Sequence, residues 1–269
     1  MEHRSLSPRI GTAPSVPVVG MGTSETLDTD DLGAARKVVD ASLAAGSTLF
    51  DSSPMYGAAE RVLGACLEGR RADAIIATKV WTGDDATAER QIDASLGFYG
   101  GHVELLQVHN LVGWRTRLDQ LEARRDGGEI TLVGATHWQS AAFRELEDVM
   151  RTGRVDTIQV PYNPIEREVE ERILPLAMEL GIGVLVMRPF AKAALLGRPP
   201  DGARLADLDG TGITTMAQAL LAWGLSHPAV SSSIPATSRP ERAIENAAAG
   251  DIPPLDDEQR RLIAGWFSD

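Results

Sequence analysis

Short apolar runs alternate with longer segments of helical spacing along nearly the whole chain. The runs fall at 16–20, 48–50, 74–78, 104–108, 130–134, 157–160, 183–186 and 231–234. Helical patterns fill 31–45, 59–68, 86–96, 115–125, 140–151, 167–180, 214–225, 240–248 and 255–267. A short apolar run bounded by turn residues reads as a strand, and apolar positions three to four apart read as an amphipathic helix. Strands that are apolar throughout belong to parallel sheets covered on both faces. Eight such β-α units predict a closed (β/α)8 or TIM barrel with its active site at the C-terminal rim. The 269 residues suit one barrel, so residues 1–269 are expected to form a single domain. An open doubly wound sheet is the alternative, but Gly20-Met21-Gly22-Thr23 lacks the third glycine of its fingerprint. Thr29-Asp30 is expected to cap the first helix and Gly46 to stop it. The residues around His3-Arg4 read as a loose arm or a first hairpin, and 190–213 as a long loop over the mouth.

Polar residues end several of these runs. Asp51 follows Leu49-Phe50, Lys79 follows Ala77-Thr78, and His109 follows Gln107-Val108; Tyr56 lies five residues beyond Asp51 in a turn. If the strands are parallel neighbours, an acid, a phenol, an amine and an imidazole meet at one rim. Such a set can donate a proton to a carbonyl oxygen. Asp51 beside Lys79 argues against a Schiff-base lyase, because an ion pair raises an amine pKa where a lower one is needed.

Composition excludes several classes. A net charge of −12 leaves no basic stripe for nucleic acid. No stretch of 18 apolar residues reads as a membrane span, and the start shows no apolar signal core. Cys66 is the only cysteine, in a helical pattern where a buried structural thiol is expected. A chain with no possible internal disulfide suits a reducing cytoplasm. None of the five histidines forms a metal-binding pair with nearby carboxylates. A monomer is expected.

Six pieces in this order resemble the aldo-keto reductase superfamily, above all its compact bacterial members. They are Phe50-Asp51-Ser52-Ser53-Pro54-Met55-Tyr56-Gly57, Ala77-Thr78-Lys79-Val80, Leu106-Gln107-Val108-His109, Gly134-Ala135-Thr136-His137, Ile158-Gln159-Val160-Pro161-Tyr162-Asn163 and Ile234-Pro235-Ala236-Thr237. The resemblance spans nearly the whole chain. It implies reversible NADPH-dependent reduction of an aldehyde or ketone, with Asp51, Tyr56, Lys79 and His109 as the catalytic set. Tyr56 would be the general acid, Lys79 would draw its pKa down, Asp51 would hold Lys79, and His109 would orient the substrate oxygen.

The resemblance also implies a nicotinamide cofactor, NADP(H) rather than NAD(H). Gly22, Thr23, Asp51, Thr136, His137, Gln159, Met187, Arg188, Pro189, Ile234, Ala236, Thr237, Arg242, Glu245 and Asn246 would bind it. Thr136, His137 and Gln159 would hold the carboxamide, Thr237 and Arg242 the 2′-phosphate, and Glu245 and Asn246 the adenine. Thr136-His137 stands where many relatives carry Ser-Asn, Met187 where many stack an aromatic ring, and Ala236 where many carry Lys. Arg239 is expected to compensate for that lysine, and Arg188 to reach the pyrophosphate or sit over the mouth. A helix beginning at Pro240 offers free N–H groups to phosphate.

Met21, Met55, Trp81, Asn110 and Trp138 are candidate substrate contacts, with Trp114 and Phe190 also near the rim. Their mix suits a small or medium carbonyl compound with an apolar part. A nicotinamide-binding sensor on the same fold, with vestigial chemistry, is the alternative function.

Overall fold

The computed structural model describes residues 1–196 and 205–268. Part of the expected long loop, 197–204, lies outside the described residues. Eight strands run parallel and in chain order: β3 (Met21–Gly22), β4 (Leu49–Asp51), β5 (Ile75–Val80), β6 (Val103–Val108), β7 (Ile130–Thr136), β8 (Thr157–Pro161), β9 (Gly183–Met187) and β10 (Val230–Ser233). Parallel bridges from Val19 to Ser233 and from Gly22 to Ala236 close the ring. Gly20 N–H donates to Ser233 O at 2.8 Å across this seam.

The helices of the outer layer are α1 (Leu32–Ala44), α2 (Ala59–Cys66), α3 (Asp85–Phe98), α4 (Trp114–Asp126), α5 (Phe143–Arg151), α6 (Ile173–Leu180), α7 (Met216–Leu225), α8 (Pro240–Ala248) and α9 (Asp257–Gly265). Asp31, not Thr29-Asp30, caps α1, accepting Ala34 N–H at 2.9 Å. Among the described residues no helix is long and apolar enough to cross a membrane.

Alternation along each strand builds two cores. Phe50, Ile76, Val108, Val133, Ile158 and Val184 face the helices. Leu49, Ala77, Leu105, Leu132, Leu185 and Ile234 fill the inside of the barrel. An antiparallel hairpin, β1 (His3–Ser5) and β2 (Ser15–Pro17), adds Leu6 and Val16 to that inner core and floors the barrel. The fit is close: a Cβ on Gly183 would lie 1.8 Å from Leu6 O, so only glycine allows the hairpin to seat there.

One expected strand is corrected. The run at 16–20 is not a single strand: Val16 belongs to the floor, and the barrel strand begins further on at Met21. The run is apolar because it is buried twice, once in each core.

Candidate active site

The inner row of each strand turns polar toward its C-terminal end. Leu49 is followed on its face by Asp51, Ala77 by Lys79, and Leu105 by Gln107 and then His109. Ladder register places Asp51 beside Ala77 and Lys79 beside Gln107. Lys79 is fully buried, and its Nζ donates to Asp51 Oδ2 at 2.6 Å and to Ser52 O at 2.8 Å. The other carboxylate oxygen of Asp51 accepts from Gln159 Nε2 at 2.8 Å and Gln107 Nε2 at 3.2 Å. Gly134 makes room for this, since a Cβ there would press on Gln107 Cγ at 2.8 Å.

Tyr56 stands in the turn after β4, its N–H donating to Ser53 O at 3.0 Å. Its ring centre lies 5.0 Å from Lys79 Nζ and 5.9 Å, edge to face, from the His109 ring. The four residues singled out in the sequence are therefore brought together.

Their charge states follow from burial and neighbours. Burial alone would lower the Lys79 pKa, but the Asp51 charge and the Tyr56 side chain outweigh it and hold the ammonium above its ordinary range. For Tyr56 burial dominates and raises the phenol pKa, with Lys79 pulling the other way. The expected net lowering is thus reversed: Lys79 acts in the expected direction but burial is larger. The phenol stays protonated at neutral pH. Burial, and then the Lys79 charge, push His109 down to about 3, so its imidazole is neutral.

Ser53 Oγ lies 2.9 Å from His109 Nδ1 and accepts Met55 N–H at 3.2 Å. With the Ser53 hydroxyl donating to Nδ1, the imidazole proton sits on Nε2 and faces away from Ser53. Behind the set, Glu60 Oε1 accepts from Thr78 Oγ1 at 2.5 Å and Ser95 Oγ at 2.8 Å, tying α2 and α3 to β5.

Around this centre lie the other candidates. Thr136 is buried, and its Oγ1 accepts Asn110 N–H at 3.1 Å. His137 Nδ1 accepts Gln139 N–H at 3.1 Å, which leaves Nε2–H as a donor. Asn110 has a left-handed backbone (φ 53°) and a buried Oδ1 without a partner. Met187 is half-buried at the end of the inner row, and Pro189 is buried. Arg188 lies with its guanidinium 4.4 Å from the Trp138 ring centre. Met55, Trp81 and Trp138 are 40–46% exposed, apolar groups left open to water beside strand ends.

Several candidates are placed elsewhere. Met21 is 2% exposed and packs in the sheet-helix core, because alternation turns it outward between Gly20 and Gly22. Trp114 and Phe190 join the same core. Thr23 Oγ1 is spent inward on Asp51 O at 3.0 Å and Ser52 Oγ at 2.9 Å. Gly22 is required by the seam, where a Cβ would lie 2.8 Å from Ile234 O. Ile234 packs inside the barrel.

At α8, Thr237 Oγ1 accepts Arg239 N–H at 3.1 Å, and Ala236 is exposed. Arg239 pairs with Glu241 at 2.6 Å, and both side chains are more than half exposed. Arg242 is exposed and has no ion pair among the described residues, and α8 starts at Pro240 without a side-chain cap. Glu245 is half-buried and Asn246 is buried on the same helix.

Sequence reasoning missed Gln107 and Ser53 as supports. Gln107 carried a signal, being two residues before His109 on the same strand face. Ser53 carried none, because its partner comes from another strand.

A parallel barrel with a buried lysine-aspartate pair, a phenol and a neutral imidazole at its C-terminal rim matches one family. Residues 18–265 fit the model of the aldo/keto reductase family, and the chain belongs to it. The aldo-keto reductase YhdN of Bacillus subtilis is 26% identical over 220 residues, a stretch that covers 74% of this chain and 65% of YhdN. The methylglyoxal reductase YeaE of Escherichia coli is 28% identical over 253 residues, covering 88% of this chain and 87% of YeaE. A crystal structure of an aldo/keto reductase from Klebsiella pneumoniae in complex with NADP and acetate superposes with a TM-score of 0.81 at 26% identity, covering 97% and 94% of the two chains.

Proposed function

We propose that this chain reduces an aldehyde or ketone to an alcohol, reversibly and with NADPH, using Tyr56 as the proton donor. The observation that carries the reading is the protonated, half-buried Tyr56 phenol beside the sealed Lys79–Asp51 pair. The residues present suit a nicotinamide dinucleotide. His137 Nε2–H and the orphaned Asn110 Oδ1 complement a carboxamide, together with the remaining oxygen of Gln159. Thr237, Arg242 and the uncapped start of α8 complement a phosphate. Bound there, the cofactor supplies the hydride.

The side chains supply the rest. The Tyr56 hydroxyl gives its proton to the carbonyl oxygen. The Lys79 ammonium, kept charged by Asp51, then faces the phenolate that remains and stabilises it. His109 Nε2–H donates a second hydrogen bond to the same oxygen as negative charge develops there. Gln107 and Gln159 fix the Asp51 carboxylate, so Lys79 does not turn away. The same pair weighs against Schiff-base chemistry, since the amine is held protonated. In this reading the chain works as a monomer in the cytoplasm on a small carbonyl compound.

NADPH consumption with a panel of aldehydes tests the proposal, because a sensor with vestigial chemistry gives no sustained turnover. Tyr56→Phe is expected to lower turnover by about 10²–10⁴-fold while NADPH still binds. Turnover like that of the unmodified protein would end the assignment. Arg242→Ala is expected to weaken NADPH by about 10–100-fold and NADH far less, as judged by fluorescence titration. Equal losses would move the second phosphate elsewhere.

A further inference from the structure

We propose that Arg188, laid on Trp138, receives a carboxylate carried by the carbonyl substrate, so that this reductase acts on oxo acids. The inference rests on the reductase reading and adds a substrate class to it. Arg188 follows Met187, the last inner residue of β9, and its φ is 54°. That left-handed conformation is unfavourable for a residue with a Cβ. Asn163 fixes it, donating from Nδ2 to Arg188 O at 2.9 Å. Asn163 is itself tied down, its Oδ1 accepting Ile165 N–H and Glu166 N–H at 3.1 Å each. A strained backbone held this firmly points to a side chain that must be aimed.

The aim is across the mouth. From β9 the side chain reaches back over β8 to Trp138 beyond the end of β7, away from β10 and α8. Its charge reaches Tyr56, where it assists Lys79 in favouring the phenolate. Stacking leaves the N–H edge of a planar guanidinium available for a two-point contact with a carboxylate.

Among the described residues no carboxylate takes that place. Arg188 makes no ion pair and no side-chain hydrogen bond among the described residues, although acidic residues outnumber basic ones by 38 to 26. Trp138, under the Arg188 guanidinium, is 40% exposed, and Met55 and Trp81, which follow β4 and β5 at the same end of the barrel, are likewise open to water. Exposed apolar side chains at the rim, with a cation near Tyr56 that has no ion pair among the described residues, suit a molecule with a carbonyl at one end and a carboxylate at the other.

The test compares para-formylbenzoate with its methyl ester at saturating NADPH. The unmodified protein is expected to favour the carboxylate by about tenfold in kcat/KM, mostly through KM. Arg188→Gln should collapse that ratio toward one, and Arg188→Lys should restore part of it. NADPH affinity is measured on the same variants by fluorescence titration. No preference in the unmodified protein overturns the inference alone, because both aldehydes are still reduced. An unchanged ratio in Arg188→Gln with weakened NADPH also overturns it, and assigns the guanidinium to the dinucleotide phosphates. If neither aldehyde is reduced, the inference falls together with the reductase reading.

Discussion

Two aspartates, Asp156 and Asp51, are nearly sealed from water at opposite ends of the barrel, 1% and 3% exposed. Asp156 enters β8 at the floor. Its carboxylate accepts Val133 N–H at 2.9 Å, Arg9 Nη2 at 2.7 Å and, more weakly, Arg125 Nη1 at 3.5 Å, so it stitches main chain, hairpin and α4 together. Asp51 leaves β4 at the mouth, and its carboxylate accepts from side chains alone: Lys79, Gln107 and Gln159. The floor uses a buried charge to fix backbone. The mouth uses one to aim groups that could otherwise rotate. Burial alone does not separate structural from chemical carboxylates, but the kind of donor each one receives does.

The sharpest way to break this contrast is Lys79→Met. It strands the Asp51 carboxylate in the interior, a loss of about 3–5 kcal/mol by chemical denaturation. Turnover should fall by at least about 10²-fold as well. A variant that loses stability and keeps its turnover would make the mouth a second floor. Adding Asp51→Asn should recover much of the stability and none of the turnover.

Asp156→Ala comes next. It leaves Val133 N–H without its acceptor, takes one partner each from Arg9 and Arg125, and is expected to cost about 2–3 kcal/mol. Turnover per folded molecule should not change. A large drop in turnover would mean that the two ends are coupled through the barrel.

A further effect concerns pH, and it vanishes above about pH 6.5. His109 titrates at about 3 in the folded chain, against an ordinary 6.5. Below about 6.5 the unfolded chain binds a proton that the folded one refuses, so stability falls toward acid. The slope from this one group is about 1.4 kcal/mol per pH unit, continuing down to the folded value, with no contribution above 6.5. His109→Gln should flatten the stability curve by that amount between roughly pH 6 and 4. An identical curve would show that His109 is open to water.

Much of this was legible in the sequence. Apolar runs ending in Asp51, Lys79 and His109 placed three groups at strand ends, and ladder register then brought them together. The spacing from Asp51 to Tyr56 was enough to put the phenol in the next turn. Helix lengths were also readable, although the approaches to α5 and α6 begin as 3-10 turns at Ser140–Ala142 and Glu168–Glu170.

What stayed hidden depends on facing and on distant partners. Met21 looked available at a strand end until alternation turned it toward the helices. The bond from Ser53 to His109 joins residues from different strands and has no local pattern. The competition between burial and Lys79 at Tyr56 is a matter of magnitude, and residue types alone carry none.

The seam has a consequence for how the molecule is made. The wall closes only where Val19 meets Ser233 and Gly22 meets Ala236, the first and last units of the succession. A ribosome therefore releases Asp51, Lys79 and His109 long before the sheet can lose its free edges. Until the segment after β10 has emerged, a nascent chain holds every tetrad group and no finished cylinder.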